Sequence, residues 1–360
     1  MGNCVFCVEK PLVPPTSRSK LIVYLNGHKA SPDTSLLDIA LSYKEATVVS
    51  APSNNQNLTP TVRIGGDHIV TGAEIMGHID AMLPGPKILT KEMRSVKNSA
   101  EVIRMVTELQ HRSMIRHLEK ILVWMDEVMK RERIKKKGGG REVTAERGTP
   151  RMEMRRFGRC YSQLLEIMLE HARMEERIVF PVLEFADRGY CKSTYEHHGR
   201  DLPIMNGIKE DIKSIVVLDS GKPTYQEALL NLSKRLKTLL RHCKEHFDEE
   251  ERTLLPILDI AVKSTEEGGG GDLMEKKKEA CMDQVMLIME GTHSHLFHIL
   301  IAGLLPHESM QYLDILRCCS QDKDRLTKMF QSLKSNIESA PYSFPPMFCN
   351  LFGPQSQPQS

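Results

Sequence analysis

A histidine followed four residues later by a glutamate occurs twice in the chain, inside two closely similar segments. HARMEERIVFPVLEFA begins at His171 and HFDEEERTLLPILDIA begins at His246, with seven of their sixteen positions identical. Side chains four residues apart project from one face of an α-helix. We therefore expect His171 to lie beside Glu175, and His246 beside Glu250, on faces that also carry core leucines. Imidazole and carboxylate groups that face inward together are typical ligands of iron, manganese or zinc.

The two glutamates of this repeat need a counter-charge. An unpaired carboxylate inside a bundle is energetically costly, and burying two of them requires positive charge nearby. Lysine or arginine could supply it, but no basic residue recurs on the same face of both segments. Two divalent cations would neutralise both carboxylates.

Two further histidines stand on the helices that precede the repeated segments. His111 begins HRSMIRHLEKI and His198 begins HGRDLPIMNGI, and each is followed by apolar residues at the fourth, seventh and tenth positions. The chain thus contains the same unit twice. Each unit is a helix with one histidine, followed by a turn and a helix with His-x3-Glu. The repeat predicts six ligands in one layer of a bundle: His111, His171, Glu175, His198, His246 and Glu250. The alternative is a set of hydrogen-bonded core histidines and surface glutamates.

Other candidates lie close to this layer. His242 shares the helix face of His246 and is either a further ligand or a group that orients one. Glu176 and Glu251 follow the two ligand glutamates and are either solvent-facing partners of arginine or additional carboxylate ligands. His117 and His197 point off the ligand face, and we expect His197 to be exposed. HSHLFH at 293–298 has a zinc-like composition, but its spacing favours a helix surface.

The number of ligands favours iron. Two six-coordinate ions need about twelve bonds, whereas four imidazoles and two bridging carboxylates supply about eight. Water, hydroxide, an oxo bridge or O2 would complete the coordination. Because an open site of this kind suits oxygen chemistry, we expect two iron ions joined by an oxo or hydroxo bridge, with manganese or zinc as alternatives.

Hydrophobic periodicity predicts a mainly α-helical protein. Four long amphipathic segments with short links between residues 92 and 263 predict an antiparallel four-helix bundle. Residues 272–338 contain two or three further helices, and 339–360 form a tail. Before the bundle, residues 20–85 show the pattern strand, helix, hairpin, helix, which predicts a small α/β domain.

The N-terminus and the composition indicate where the protein works. Gly2 followed by Cys4 is the arrangement used for N-myristoylation beside a palmitoylated cysteine, although Phe6 stands where serine or threonine is usual. Otherwise residues 1–19 are an untethered tail. Nine scattered cysteines indicate a reducing compartment, and the net charge of +2 argues against nucleic-acid binding. We expect a cytoplasmic protein, either free or anchored to a membrane surface through its N-terminus.

Residues 95–263 resemble the hemerythrin/HHE cation-binding domain, a four-helix bundle that holds a non-haem di-iron centre. The resemblance rests on the six predicted ligands in their order and on the two EER-x3-P sequences. Oxygen-carrying hemerythrins have His-x3-His on the third helix, where this chain has Leu202, and an aspartate on the fourth. The resemblance therefore implies iron binding with iron or oxygen sensing rather than oxygen storage. The alternatives are a di-iron oxidase or peroxidase and a non-catalytic adaptor.

Two other parts of the chain also resemble known proteins. Residues 20–85 resemble the thioredoxin-like N-terminal domain of glutathione transferases, on the basis of Ser31-Pro32, Thr59-Pro60 and TGAEI. This resemblance implies a cis peptide bond at Pro60 and glutathione binding as a further alternative, with Ser31 either at the thiol position or capping a helix. LIAGLLPHESMQYLDILRCC resembles the segment that follows hemerythrin domains in plant iron-responsive ubiquitin ligases. No RING or zinc-finger spacing follows it, so ligase activity is not expected.

Overall fold

The computed structural model describes residues 21–55, 58–65, 69–89, 98–136, 149–186, 188–258 and 271–339. Residues 21–89, the sheet unit, contain a four-stranded sheet and two α-helices. These elements are β1 (Leu21–His28), α1 (Pro32–Ser42), β2 (Ala46–Ser53), β3 (Thr61–Ile64), β4 (Ile69–Thr71) and α2 (Ile75–Met82). The strand order is β2-β1-β3-β4, in which β1 and β2 are parallel and the other neighbours are antiparallel. The predicted α/β unit is confirmed, with β2 as a strand that the sequence pattern had not shown.

Local sequence explains how the sheet unit begins its first helix. Pro32 occupies the first turn of α1, where a missing N–H costs nothing, and Ser31 stands before it in an extended conformation. Ser31 therefore holds the N-cap position, although its side chain makes no capping hydrogen bond. The expectation of a cis bond at Pro60 was wrong, since the described peptide bonds are trans. Gly2 and Cys4 lie outside the described residues.

The predicted antiparallel four-helix bundle follows the sheet unit. Its helices are α3 (Ser99–Lys136), α4 (Pro150–Met174) with its continuation α5 (Phe180–Ala186), α6 (Lys192–Val217) and α7 (Pro223–Glu249). α3 packs against α4 and α7, and α6 packs against the same two helices, which closes the bundle. The interior is filled by leucine, isoleucine, methionine and aromatic side chains from all four helices.

A π-helical turn interrupts each helix that carries the His-x3-Glu pair. The turns are Glu175–Val179, between α4 and α5, and Glu250–Leu254, directly after α7. In each, the residue after the turn donates its N–H to the carbonyl of the glutamate, five residues back. Pro181 and Pro256 follow, and a proline has no N–H to donate and clashes with the carbonyl four residues before it. The EER-x3-P repeat therefore produces a helix irregularity at each glutamate, a feature common at functional sites.

Residues 271–339, the extension, contain four helices in the described part rather than the predicted two or three. They are α8 (Gly271–Ile288), α9 (Phe297–Ala302), α10 (Pro306–Cys319) and α11 (Lys323–Ser339). The first three pack on α3, and α11 packs on α1. One hydrophobic core therefore continues from the sheet unit through the extension to the π-helical turns. Among the described helices, none has the length and apolar character needed to cross a membrane.

Candidate metal centre

The six predicted ligands converge in one layer of the bundle, and each helical hairpin brings three of them together. The hairpin of α3 and α4 supplies His111, His171 and Glu175, and the hairpin of α6 and α7 supplies His198, His246 and Glu250. Within each group the possible ligand atoms lie within 4.8 Å of one another, so each group could hold a metal ion. The internal repeat of the sequence is thus a repeat of potential metal sites.

The two groups contact each other through their glutamates. Glu175 Oε1 lies 3.1 Å from His171 Nε2, while its Oε2 lies 3.4 Å from His198 Nε2 in the other hairpin. Glu250 mirrors this arrangement, with distances of 3.0 Å within its own hairpin and 3.4 Å across to the other. Each carboxylate therefore presents one oxygen to each hairpin.

The ligand atoms are buried and lack other partners. Glu175 and Glu250 are 1% and 2% exposed, and three of the four histidines are similarly buried. Among the described residues, no hydrogen-bond partner exists for Nε2 of His111, His171 and His246, for Glu175 Oε2, or for either oxygen of Glu250. Each orphaned buried polar atom costs about 1–3 kcal/mol. Six such atoms in one layer are unfavourable unless a cation binds them, so the donor set fits bound metal ions.

The pKa values of Glu175 and Glu250 are shifted in opposite directions. Burial raises the pKa of Glu250, and the neighbouring charge of Glu175 raises it further. Burial acts in the same sense on Glu175, but the attraction of His171 and the close approach of His111 and His198 outweigh it and lower its pKa. Burial opposes the charged forms of His111 and His198, yet their neighbouring glutamates raise both pKa values to about 9. Binding of a cation must therefore displace protons from this layer.

Glu176 and Glu251 orient ligand histidines. Glu176 Oε1 lies 2.9 Å from His198 Nδ1, and Glu251 Oε1 lies 3.0 Å from His111 Nδ1. Because a carboxylate accepts, each Nδ1 donates, and each Nε2 offers its lone pair to the centre once its own proton has been displaced. The second glutamate of each EE pair thus acts on the histidine of the neighbouring helix.

Two further side chains, which were not among the predicted site residues, support the histidines. Gln110 Oε1 lies 2.8 Å from His171 Nδ1, and Asp201 Oδ1 lies 2.8 Å from His242 Nδ1. His242 belongs to neither group of three ligands and is paired with Asp201 instead. Asp201 follows His198 by three residues on one helix, so helical spacing could have indicated it. Gln110 has its partner on another helix, which sequence spacing cannot reveal.

The remaining histidines of interest have other surroundings. His197, expected to be exposed, is half-buried, with its ring centroid 5.1 Å from that of His246. His117 is buried and donates from Nε2 to the carbonyl of Ile299. His293, in HSHLFH, is buried and contacts a tyrosine hydroxyl. In the part of the chain that the structure describes, no metal-binding group is found at HSHLFH.

A cavity of about 340 Å³ lies between α3 and α7, and His111, whose imidazole ring belongs to the ligand layer, is one of its lining residues. Phe247 stacks on that ring at a centroid distance of 4.0 Å and an interplanar angle of 4°, and Glu251 forms another part of the wall. Charged residues of both signs, including Arg112 and Lys244, also line the cavity. This cavity therefore lies beside the ligand layer, on the side of His111 and Glu251.

Fold and site together define a class of protein: a helical bundle whose repeated hairpins carry histidine and carboxylate ligands suited to metal cations. Residues 106–258 match the family model described as the Hemerythrin HHE cation binding domain. The chain therefore contains a hemerythrin HHE cation-binding domain, as the resemblance of residues 95–263 predicted. No curated protein and no solved structure matches the chain. The resemblances of residues 20–85 and of the extension stay predictions.

Proposed function

We propose that the six ligands bind two iron ions and that the protein senses iron or oxygen. The observation that carries this proposal is the buried layer of histidine and glutamate atoms without other partners. Each hairpin supplies two histidines and one carboxylate, a ligand set that non-haem iron(II) uses while keeping open coordination positions. Bound iron would supply redox chemistry towards O2. The residues of the chain hold the ions, orient the imidazoles and limit contact with bulk water.

Two features favour sensing over oxygen storage. Oxygen-carrying hemerythrins have a second histidine on the third helix, at the position of Leu202 in this chain. Leu202 is exposed, so α6 contributes His198 alone to the six predicted ligands. The extension packs directly on α3, the helix that carries His111. A change at the ligand layer can therefore be transmitted to the surface that the extension forms.

Metal analysis and spectroscopy of freshly purified protein test the proposal. Wild type should contain about two irons per chain and absorb in the near ultraviolet, with loss of that absorption on reduction. His171→Ala and His246→Ala should lose iron to a similar extent although they lie on different hairpins. His295→Ala, at an exposed histidine, is the matched control and should keep its iron. Purification with zinc alone, or full iron content in His246→Ala, would refute the di-iron assignment.

An oxidase or peroxidase is the second candidate, because a cavity lined by His111 and Glu251 lies beside the ligand layer. Iron-loaded protein mixed with peroxide and a reductant distinguishes the two functions. Repeated turnover that disappears in His171→Ala would support an enzyme. A single stoichiometric change in the spectrum would support a sensor.

A further inference from the structure

A chain of buried hydrogen bonds, here called the relay, connects His171 with the extension. His171 Nδ1 lies 2.8 Å from Gln110 Oε1, and Gln110 Nε2 donates to the hydroxyl of Tyr312 over 3.1 Å. That hydroxyl lies 2.7 Å from His293 Nε2, and His293 Nδ1 lies 3.0 Å from the carbonyl of Met289. The Gln110, Tyr312 and His293 side chains are buried, so water does not compete for these contacts.

The Met289 carbonyl fixes the direction of every hydrogen bond in the relay. A carbonyl only accepts, so His293 Nδ1 donates to it. Burial lowers the pKa of His293 to about 4, which keeps the ring neutral and its Nε2 an acceptor. Tyr312 then donates to His293 and accepts from the Gln110 amide, which turns Gln110 Oε1 towards His171. His171 must therefore donate from Nδ1, and its Nε2 keeps the lone pair that a metal ion needs.

The extension is also fixed to the residue that precedes His171. Glu170 accepts hydrogen bonds from the N–H groups of Gly291 and Thr292 at 2.9 and 2.7 Å, and from the Thr292 hydroxyl at 2.5 Å. The turn between α8 and α9 is thus connected to two consecutive residues of α4. Glu170 binds it directly, and His171 is linked to it through the relay. Movement of this turn would disturb the surroundings of His171.

We propose that Gln110, Tyr312 and His293 are positioning residues that keep His171 in its metal-binding tautomer and couple cation binding to docking of the extension. This inference rests on the proposed metal site. Without Tyr312, the Gln110 amide is free to turn its NH2 group towards His171 Nδ1. The proton of the imidazole then moves to Nε2, where it blocks coordination. Because coupling between two events is reciprocal, cation binding must in turn stabilise the docked extension.

Tyr312→Phe in the full-length chain tests the relay, because it removes the hydroxyl and leaves the ring. We expect its affinity for cobalt(II), measured by competition with a coloured chelator, to fall roughly 10-fold or more, the usual effect of losing a group that orients a ligand. Cobalt(II) should slow amide hydrogen exchange at residues 289–316 in wild type, and slow it much less in the variant.

Two variants separate positioning from packing. Tyr225→Phe is the matched control, since Tyr225 is a buried bundle tyrosine whose hydroxyl has no hydrogen-bond partner among the described residues. It should bind cobalt(II) as wild type does. Gln110→Glu added to Tyr312→Phe should restore affinity, because a carboxylate can only accept and holds the Nδ1 proton without Tyr312. A loss of packing would not be rescued in this way.

The tautomer itself can be read without any metal from 15N spectra of histidine-labelled protein. Metal-free wild type should show His171 protonated on Nδ1, and Tyr312→Phe should show a mixture. Protonation on Nε2 in wild type would overturn the inference whatever metal the protein binds. Unchanged cobalt(II) affinity in Tyr312→Phe, or a folded double variant without rescue, would overturn it as well. Binding of cobalt(II) but not iron would refute the proposed function alone.

Discussion

Replacing Glu250 by glutamine should stabilise the metal-free protein and destabilise the metal-bound one. The carboxyl group is almost fully buried, its oxygens lack hydrogen-bond partners among the described residues, and the negative charge of Glu175 is close by. Glu250→Gln keeps the shape of the side chain and removes its negative charge. The amide also has no need to take up a proton, as the buried carboxyl group does. The same change removes a carboxylate that contacts both ligand groups.

The expected magnitudes follow from these contacts. The uncharged amide is still buried without partners, so only the ionic part of the cost disappears, which we take as about 2 kcal/mol. For a cooperative unit of 150–250 residues this raises the Tm of the metal-free protein by roughly 4–8 °C. Cation at about a thousand times its Kd adds about 4 kcal/mol to wild type, or roughly 8–16 °C. The variant should gain only a few degrees.

Thermal unfolding followed by circular dichroism, with chelator and with anaerobic iron(II), measures both effects. Glu245→Gln is the control, because Glu245 is exposed and pairs with Arg241 on the surface of the same helix, an interaction worth about 0–1 kcal/mol. Its Tm should change little in either condition. If Glu250→Gln lowered the Tm equally with chelator and with iron, the carboxylate would contribute to packing rather than to cation binding, and our reasoning would fail.

Three further predictions concern other parts of the molecule. Burial lowers the pKa of His117 to about 3, so only the unfolded chain binds this proton as the pH falls below 6.5. Between pH 7 and pH 5 wild type should therefore lose about 2 kcal/mol of unfolding free energy relative to His117→Gln in urea titrations; an equal pH dependence of the two would contradict this. Gly303→Ala would place a methyl group against Ser113 Oγ and 2.8 Å from His117 Nε2, and should cost about 1–3 kcal/mol in thermal unfolding, whereas Gly77→Ala, with open space around it, should not. Gly2→Ala should move the protein from the membrane to the soluble fraction on cell fractionation, and equal distribution of the two proteins would exclude the predicted lipid anchor.

Helical spacing was sufficient to predict which residues of the centre meet. His171 and Glu175 share a face because four residues make about one turn, and the duplicated pattern extended this reasoning to the second hairpin. The bundle and the α/β unit followed from periodicity in the same way. The proline six residues after each ligand glutamate was visible in the sequence too. It marked the π-helical turns, although a proline alone does not show whether a helix bends, ends or takes an extra residue.

Contacts between distant segments could not be predicted from the sequence. Gln110 and Tyr312 lie 202 positions apart, and nothing in either local pattern relates them. β2 was not recognised because its run ATVVSAPS alternates weakly and includes a proline. In the extension, Gly291 and Thr292 form a turn because Glu170 of the bundle binds their N–H groups. The number of helices in the extension therefore depends on Glu170, a residue outside the extension, and could not be predicted from the extension alone.

The crossing of Glu175 and Glu250 between the two hairpins has a consequence for how the centre fills. A cation held by one hairpin would fix the carboxylate whose second oxygen faces the other hairpin, 3.4 Å from its histidine. The first binding event would thus arrange part of the second site and reduce the repulsion between the two carboxyl groups. Occupancy should then rise steeply with metal concentration, with a Hill coefficient above one. Chains with a single bound cation would be rare. The domain would therefore change from empty to fully occupied over a narrow range of metal concentration.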